Sequence, residues 1–237
     1  MNQIKFIPRS RIYRKVFPKP EPIQTANNLP DWWKKQPGYI DGSSKSKGEY
    51  ALTVKKCQAV FDAMTFGYYL KIPMDIFIDA TGEKVIFKLS TPELDGQLLT
   101  HHIKEQILHY PVPDGYHEDV IRIHPMWIAE TPPGFSCLFI QPMHSDSSPL
   151  FAIPGVIDTD KYPSDGYLSF FVRKGFSGLI KQGTPMIQVI PFQRNDWEAN
   201  YLEDKNSDDI IKIITTSVRT VFENAYRIKF WSKKTFK

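Results

Sequence analysis

Six histidines fall between positions 101 and 144: His101, His102, His109, His117, His124 and His144. Metal ligation is the first chemistry they raise. Their spacings match no standard zinc pattern, and neither Cys57 nor Cys137 belongs to a CxxC pair that would complete one. His144-Ser-Asp146 has the HxD form of a two-His-one-carboxylate iron site, as used by metal-dependent oxygenases. That set also takes a distal histidine, usually downstream, and none follows His144. Ordinary surface or core imidazoles are therefore the expectation, with His144 and Asp146 as the metal candidates and no cofactor implied.

Other chemistries leave less trace. The chain has no GxSxG elbow, no GxxxxGK[ST] phosphate loop and no GxGxxG, and neither cysteine sits in a reactive context. The two cysteines, each in an apolar stretch, read as buried thiols rather than a disulfide. Charge is more telling. The net +4 hides an asymmetry: residues 1–50 sum to +6, residues 226–237 to +5, and residues 51–225 to −7. Basic ends around an acidic body suit a grip on something negative, either nucleic acid or the acidic face of a neighbouring subunit.

The elements that must position these groups are mostly short. Nineteen prolines in 237 residues, with 14% aromatic content, argue for brief strands and extended connections rather than long helices. Residues 1–48 read as an extended basic and aromatic arm, too apolar at Phe6, Ile12, Tyr13, Phe17, Trp32, Trp33 and Tyr39 to remain in solvent. Pro30 and Asp31 open one helical turn in "LPDWWKK", and "DGSSKSKGE" reads as a hinge. Residues 49–200 read as a β-rich body, starting with strands in "YALTVKKC" and "VFDAMTFGYYLKIPMDIFID". "GQLLTHHIKEQIL" is either a short helix or an extended connection. Residues 201–237 hold a C-terminal helix and a basic tail. Ile210, Ile211, Ile214, Val218, Val221, Phe222 and Ala225 fall at helical spacing, predicting one helix over 208–229 whose apolar stripe is buried on the body or on another chain. Ser207 is placed to cap it, and Asp208 and Asp209 suit its dipole. No charged-then-apolar leader opens the chain and no run of about 18 apolar residues occurs, so no membrane segment is expected.

Within the body, "PPGFSCLFIQP" (132–142), "PGVIDTDKY" (154–162), "YLSFFV" (167–172) and "GTPMIQVIPF" (183–192) follow one another at short spacings. This order resembles the β-clip superfamily of dUTPases and dCTP deaminases. The resemblance implies a distorted β-barrel and places three residues. Asp158 matches the aspartate that orients the ribose and the attacking water, Tyr162 lies near the tyrosine that packs on the sugar, and Gln188 matches a glutamine that helps hold the phosphates. Two departures stand against activity. The family's Arg-Ser phosphate step falls on "MHSDSSPL", which has no arginine, and helix and basic tail replace the glycine-rich closing segment. A triphosphate needs several cationic or N–H donors. Across more of the chain, "PDWWKK", "TPPGFSCLFIQPMH", "PGVIDTDKYP", "GTPMIQVIPFQRNDW" and "FWSKK" resemble an uncharacterised family common in phage genomes.

The sequence thus predicts a mainly β, β-clip-like distorted barrel with an N-terminal arm and a C-terminal helix. The leading expectation is a phage-encoded structural or interaction protein, placed in a virion or in host cytoplasm. It would assemble as a homo-oligomer, a trimer by analogy, or with other virion subunits. Trp32, Trp33, Phe230 and Trp231 are its contact candidates, and the basic termini leave nucleic acid as a partner. The alternatives are a nucleotide-binding or nucleotide-processing enzyme using Asp158, Tyr162 and Gln188, and an oxygenase at His144 and Asp146.

Overall fold

The computed structural model describes residues 2–9, 21–40, 52–90, 98–145, 148–166, 168–200, 207–220 and 225–237, with backbone alone for 207, 217–220 and 225. The described chain is mainly β. It divides into two compact units that cross the sequence-based boundaries at 48 and 200. The first comprises Met1–Asn28 and Gly67–Arg194, and the second Leu29–Phe66 and Asn195–Lys237.

The first unit carries all fourteen described strands in four antiparallel sheets. β1 (Lys5–Pro8) pairs with β8 (Trp127–Glu130). β10 (Leu150–Ala152), β12 (Ser169–Val172), β7 (Ile121–Ile123) and β6 (Leu99–His101) form the second sheet in that order. The largest runs β11 (Gly155–Ile157), β9 (Phe135–Ile140), β14 (Pro185–Gln193), β3 (Tyr68–Lys71) and β2 (Ile23–Gln24). β13 (Ser177–Ile180), β4 (Ile76–Asp79) and β5 (Ile86–Leu89) make the last. Among the described residues no sheet closes on itself, so the barrel expectation reduces to open sheets around one core.

Burial patterns explain why these runs are strands. β4 alternates, with Ile76 and Ile78 inside and Phe77 outside, the period-2 pattern of a sheet with one wet face. β14 does not alternate: Met186 to Ile190 are all buried, as a central strand covered on both faces requires. Its register slips between Pro185 and Ile187, where a proline without an N–H begins the strand. All four sheets feed one core, through Ala129, Phe170, Ile187 and Ile78 among others. Gly67, at φ +89°, leads into β3 under the β14 backbone; a Cβ there would sit 2.2 Å from the Val189 carbonyl oxygen. Thr25 donates its N–H (3.1 Å) and hydroxyl (3.2 Å) to the Gly67 carbonyl. Described parts of the arm, β1 and β2, thus pair with strands of their own chain.

The second unit is helical. α1 (Asp31–Lys35) is the turn expected at "PDWWKK", with Pro30 at its N-cap. α2 (Gln58–Thr65) corrects the sequence reading, which ran strands through "YALTVKKC" and "VFDAMT". Val54–Lys56 is a 3-10 turn, and Gln58, Phe61, Asp62 and Thr65 interact at helical i, i+4 spacing. "GQLLTHHIKEQIL" also splits: β6 ends at His101, and a 3-10 turn spans Lys104–Ile107. At the C-terminus α3 (Ser207–Thr220) and α4 (Ala225–Lys229) occupy the predicted helix. Val221 and Phe222 lie outside the described residues. Among them no helix is long and apolar enough to cross a membrane.

Candidate functional site

The turn that carries Asp158 is built by two strand ends. β11 pairs with β9 so that Ile157 faces Cys137, and the chain then turns back, the Asp158 carbonyl accepting from Lys161 N (2.9 Å) and Tyr162 N (2.8 Å). Beside it lies the Pro-Pro-Gly turn before β9, where Gly134 adopts φ +85°. Its N–H donates to Asp160 Oδ2 at 2.8 Å. Beneath both turns, Thr131 and Thr159 place their hydroxyls 2.7 Å apart, and Thr159 Oγ1 lies 3.4 Å from Cys137 Sγ. Burial pushes the Cys137 thiol up to about 11, so it remains protonated and inert at neutral pH.

Arg194, the residue after β14, locks this arrangement. Its Nη1 donates to the Phe135 carbonyl (2.9 Å), to Ser136 Oγ (2.9 Å) and to Asp160 Oδ1 (2.8 Å), while Nη2 donates to Asp160 Oδ2. Asp158 Oδ1 accepts from Ser136 Oγ at 2.7 Å and lies 3.3 Å from Arg194 Nη1. The Asp160 side chain is only 6% exposed. The hydrogen bond from Arg194, aided by the Gly134 N–H, holds its carboxyl far below the usual carboxylate range against the opposing effect of burial. The sequence motifs gave Arg194 no role, although "GTPMIQVIPFQRNDW" contains it; the end of β14 is what aims it at the turn.

The three residues implied by the β-clip resemblance are not assembled as one site. Gln188 is fully buried and accepts from Met143 N at 2.9 Å. It lies opposite Ile140 on β9, whereas the Ser136 partner of Asp158 lies opposite Phe192. Four strand residues separate those levels, roughly 13 Å at 3.3 Å per residue. Tyr162 is 53% exposed.

His144 adopts a left-handed conformation at φ +57° and lines a cavity of about 410 Å³ with Tyr116, Ser145, Ser148, Phe151 and Arg173. Asp146 lies outside the described residues. Among those described, no three His, Cys, Asp or Glu side chains cluster as a metal site. Cys57 is exposed, correcting the expectation that both thiols are buried.

The aromatic contact candidates pack within the second unit. Trp33, 3% exposed, stacks on Phe61 with ring centroids 5.9 Å apart, meets Trp32 edge-on and receives Lys55 Nζ over its ring at 4.8 Å. Trp231 Nε1 and Lys234 Nζ each donate to Asp62 Oδ2 at 2.7 Å, and Phe236 meets Phe66 edge-on at 4.8 Å. Phe230 is half exposed. Within this chain the stripe of the C-terminal helix is uncovered: Ile210, Ile211, Ile213 and Ile214 are each at least 50% exposed, which leaves docking on another chain of the two expected ways to bury it.

Neither protein-family models nor curated proteins gave a match to this chain.

Proposed function

We propose that this is a structural or interaction protein of phage type, with a β-clip-like body that does not hydrolyse nucleotides and a C-terminal helix that joins copies of the chain. The observation that carries the reading is the engagement of Asp158 and Asp160 by Ser136 and Arg194. A carboxylate that orients ribose and water offers its lone pairs to substrate; here Asp160 is engaged through both oxygens, and the half-exposed Asp158 has its Oδ1 held by Ser136 and beside Arg194. The turn is a clasp between β9, β11 and β14.

The assembly half of the reading rests on α3. Ile211, Ile214, Val218, Val221, Ala225 and Ile228 recur at alternating steps of three and four, the a/d spacing of a heptad seam. Ile211, Ile214 and Ile228 are 60%, 52% and 69% exposed. β-Branched residues at both a and d favour three or four strands over two, in line with the trimer suggested by the β-clip resemblance. Such a protein belongs in a virion or among proteins of the infected cytoplasm.

Light scattering on the purified chain, alongside a pyrophosphate-release assay with dUTP and dCTP, tests both halves. The expected result is a mass near three times 27.4 kDa and no pyrophosphate. A monomer, or turnover abolished by Asp158→Asn, overturns the reading.

A further inference from the structure

The end of the second unit carries charge of one sign. Residues 226–237 hold Arg227, Lys229, Lys233, Lys234 and Lys237, and no Asp or Glu. Asp62 of α2 takes up one of these cations, Lys234, which leaves a side-chain balance of +4. The segment is also held in place. Trp231 Nε1 and Lys234 Nζ meet the same Asp62 oxygen, and Phe236 meets Phe66 edge-on. The N–H groups of Phe230 and Trp231 both donate to the Tyr226 carbonyl at 2.9 Å. These contacts order the chain without hiding its charge, since Arg227, Lys229, Lys233 and Lys237 remain exposed.

Two aromatic side chains stay open beside those cations. Tyr226 is 49% exposed and Phe230 50%. They stand one helical turn apart at i, i+4, which puts their Cβ atoms about 5–6 Å from each other on one face. Trp231 is used differently: Arg227 lies 5.9 Å and Lys234 5.6 Å from its ring centroid. Carried along the heptad of the α3 seam, Tyr226, Arg227 and Phe230 take positions b, c and f, on the outer side. They are therefore not the residues that would join copies, and the inference is independent of the oligomer reading.

We propose that this face binds single-stranded nucleic acid, Tyr226 and Phe230 stacking on unpaired bases while Arg227 and Lys233 meet phosphates. Rings and cations alternate through residues 226–233, and a strand of unpaired nucleotides repeats a planar base and an anionic phosphate at every step. An acidic protein surface repeats neither. A duplex offers the phosphates, but its base faces are already stacked on one another. Aromatic stacking beside a basic track is how single strands are held without regard to sequence, because every base has a π-face. RNA and DNA share this chemistry.

Fluorescence anisotropy of the full-length protein with labelled oligo(dT), oligo(U), an oligo(dA)·oligo(dT) duplex and polyglutamate tests it, with co-sedimentation on phosphatidylserine–phosphatidylcholine vesicles alongside. At least one single strand should bind about tenfold tighter than duplex or polyglutamate, and the tighter of the two assigns the ligand to DNA or RNA. Tyr226→Ala with Phe230→Ala should weaken that binding at least about tenfold, with melting temperature and mass unchanged. Arg227→Gln with Lys233→Gln should flatten the slope of log affinity against log salt by about 1.4, at about 0.7 per phosphate contact. Lys181→Gln, which removes an exposed cation of the first unit, should change neither affinity nor slope. The proposal is overturned by no binding to either strand, or by duplex, polyglutamate or vesicles bound as tightly as the strands. It is overturned equally by affinity that survives loss of both rings, a salt slope unchanged in the Arg227–Lys233 variant, or the same loss in Lys181→Gln.

Discussion

Arg194 grips Asp160 through both terminal nitrogens and stands 3.3 Å from Asp158, so one guanidinium faces both carboxylates of the 158–160 turn. Together with its bond to the Phe135 carbonyl, this ties the end of β14 to both turns beside it. A bidentate fork cannot be replaced by a lysine, whose ammonium is a point donor. Arg194→Ala is therefore expected to lower the melting temperature markedly and Arg194→Lys by less. Lys5→Ala, which breaks the exposed pair with Glu130, should cost no more than about 1 kcal/mol. Thermal unfolding of the three variants ranks them, and an Arg194→Ala curve that overlays Lys5→Ala would remove the clasp from the account.

The same pair predicts acid sensitivity. Asp160 has its folded-state pKa depressed by Arg194, so its contribution is present above the unfolded carboxylate value of about 3.9 and is lost as pH falls below it. Wild type should lose stability steeply from about pH 5 downward through this window. Asp160→Asn should start less stable at pH 7 and show a flatter acid limb. Parallel curves for the two proteins between pH 6 and pH 2.5 (roughly the carboxylate range) would contradict this assignment.

Gly67 offers a backbone test. Its φ of +89° is rare for any residue with a side chain, and an added Cβ would collide with the Val189 carbonyl rather than with a flexible side-chain end. Gly67→Ala should cost at least about 1–2 kcal/mol from conformation alone, and more from the displaced β3–β14 pairing. Gly115→Ala is the control: its φ is +79°, but no atom lies within 4 Å of the added Cβ. Equal losses would show that only conformation matters at Gly67.

Much of the body was legible because its strands are bounded by turn residues. The four quoted segments of the 132–192 region became β9, β11, β12 and β14, where Pro-Pro-Gly and Asp-Thr-Asp turns punctuate β-branched and aromatic runs. The stretch before β3 was misread since "VFDAMTFGYYL" is mostly apolar, and periodicity cannot separate a buried helix from a strand in so short a run. The site was less legible. Arg194 and Asp62 draw their roles from partners 34 and 169 residues away, a pairing that only the register of the fold creates. The C-terminal stripe showed its period correctly but could not reveal that this chain leaves it exposed.

Trp231, a contact candidate in the sequence, donates to Asp62 within the second unit. Burial pushes the Asp62 carboxyl up, but donors from Lys234, Gln58 and Trp231 outweigh it and hold the group below its ordinary range. Trp231→Phe keeps the ring and removes one hydrogen bond to a charged acceptor, a loss of about 1.5–3 kcal/mol. Denaturant unfolding should show that loss in wild type and little further effect when Trp231→Phe is added to Asp62→Asn. Additive losses in the double variant would show that Trp231 acts through some other contact.

The exposed seam of α3 gives the sharpest test of assembly. A 14-residue helix with four isoleucines has poor intrinsic stability, because β-branched side chains lose rotamer freedom and short helices are marginal in water. Each buried isoleucine would return about 1.5–3 kcal/mol, so docking of two or three seams outweighs that deficit. Ile211→Lys with Ile214→Lys places charges on the seam while leaving Asp62, Trp231 and the clasp untouched. The expected outcome is a monomer by light scattering whose helical circular dichroism falls with the lost mass, and whose β-sheet melting transition is retained. The matching substitution off the seam, Ile213→Lys, should leave the mass unchanged. If Ile213→Lys dissociates the assembly as fully as the seam variant does, copies meet over a different face of α3. If neither changes the mass, α3 takes no part in holding the copies together.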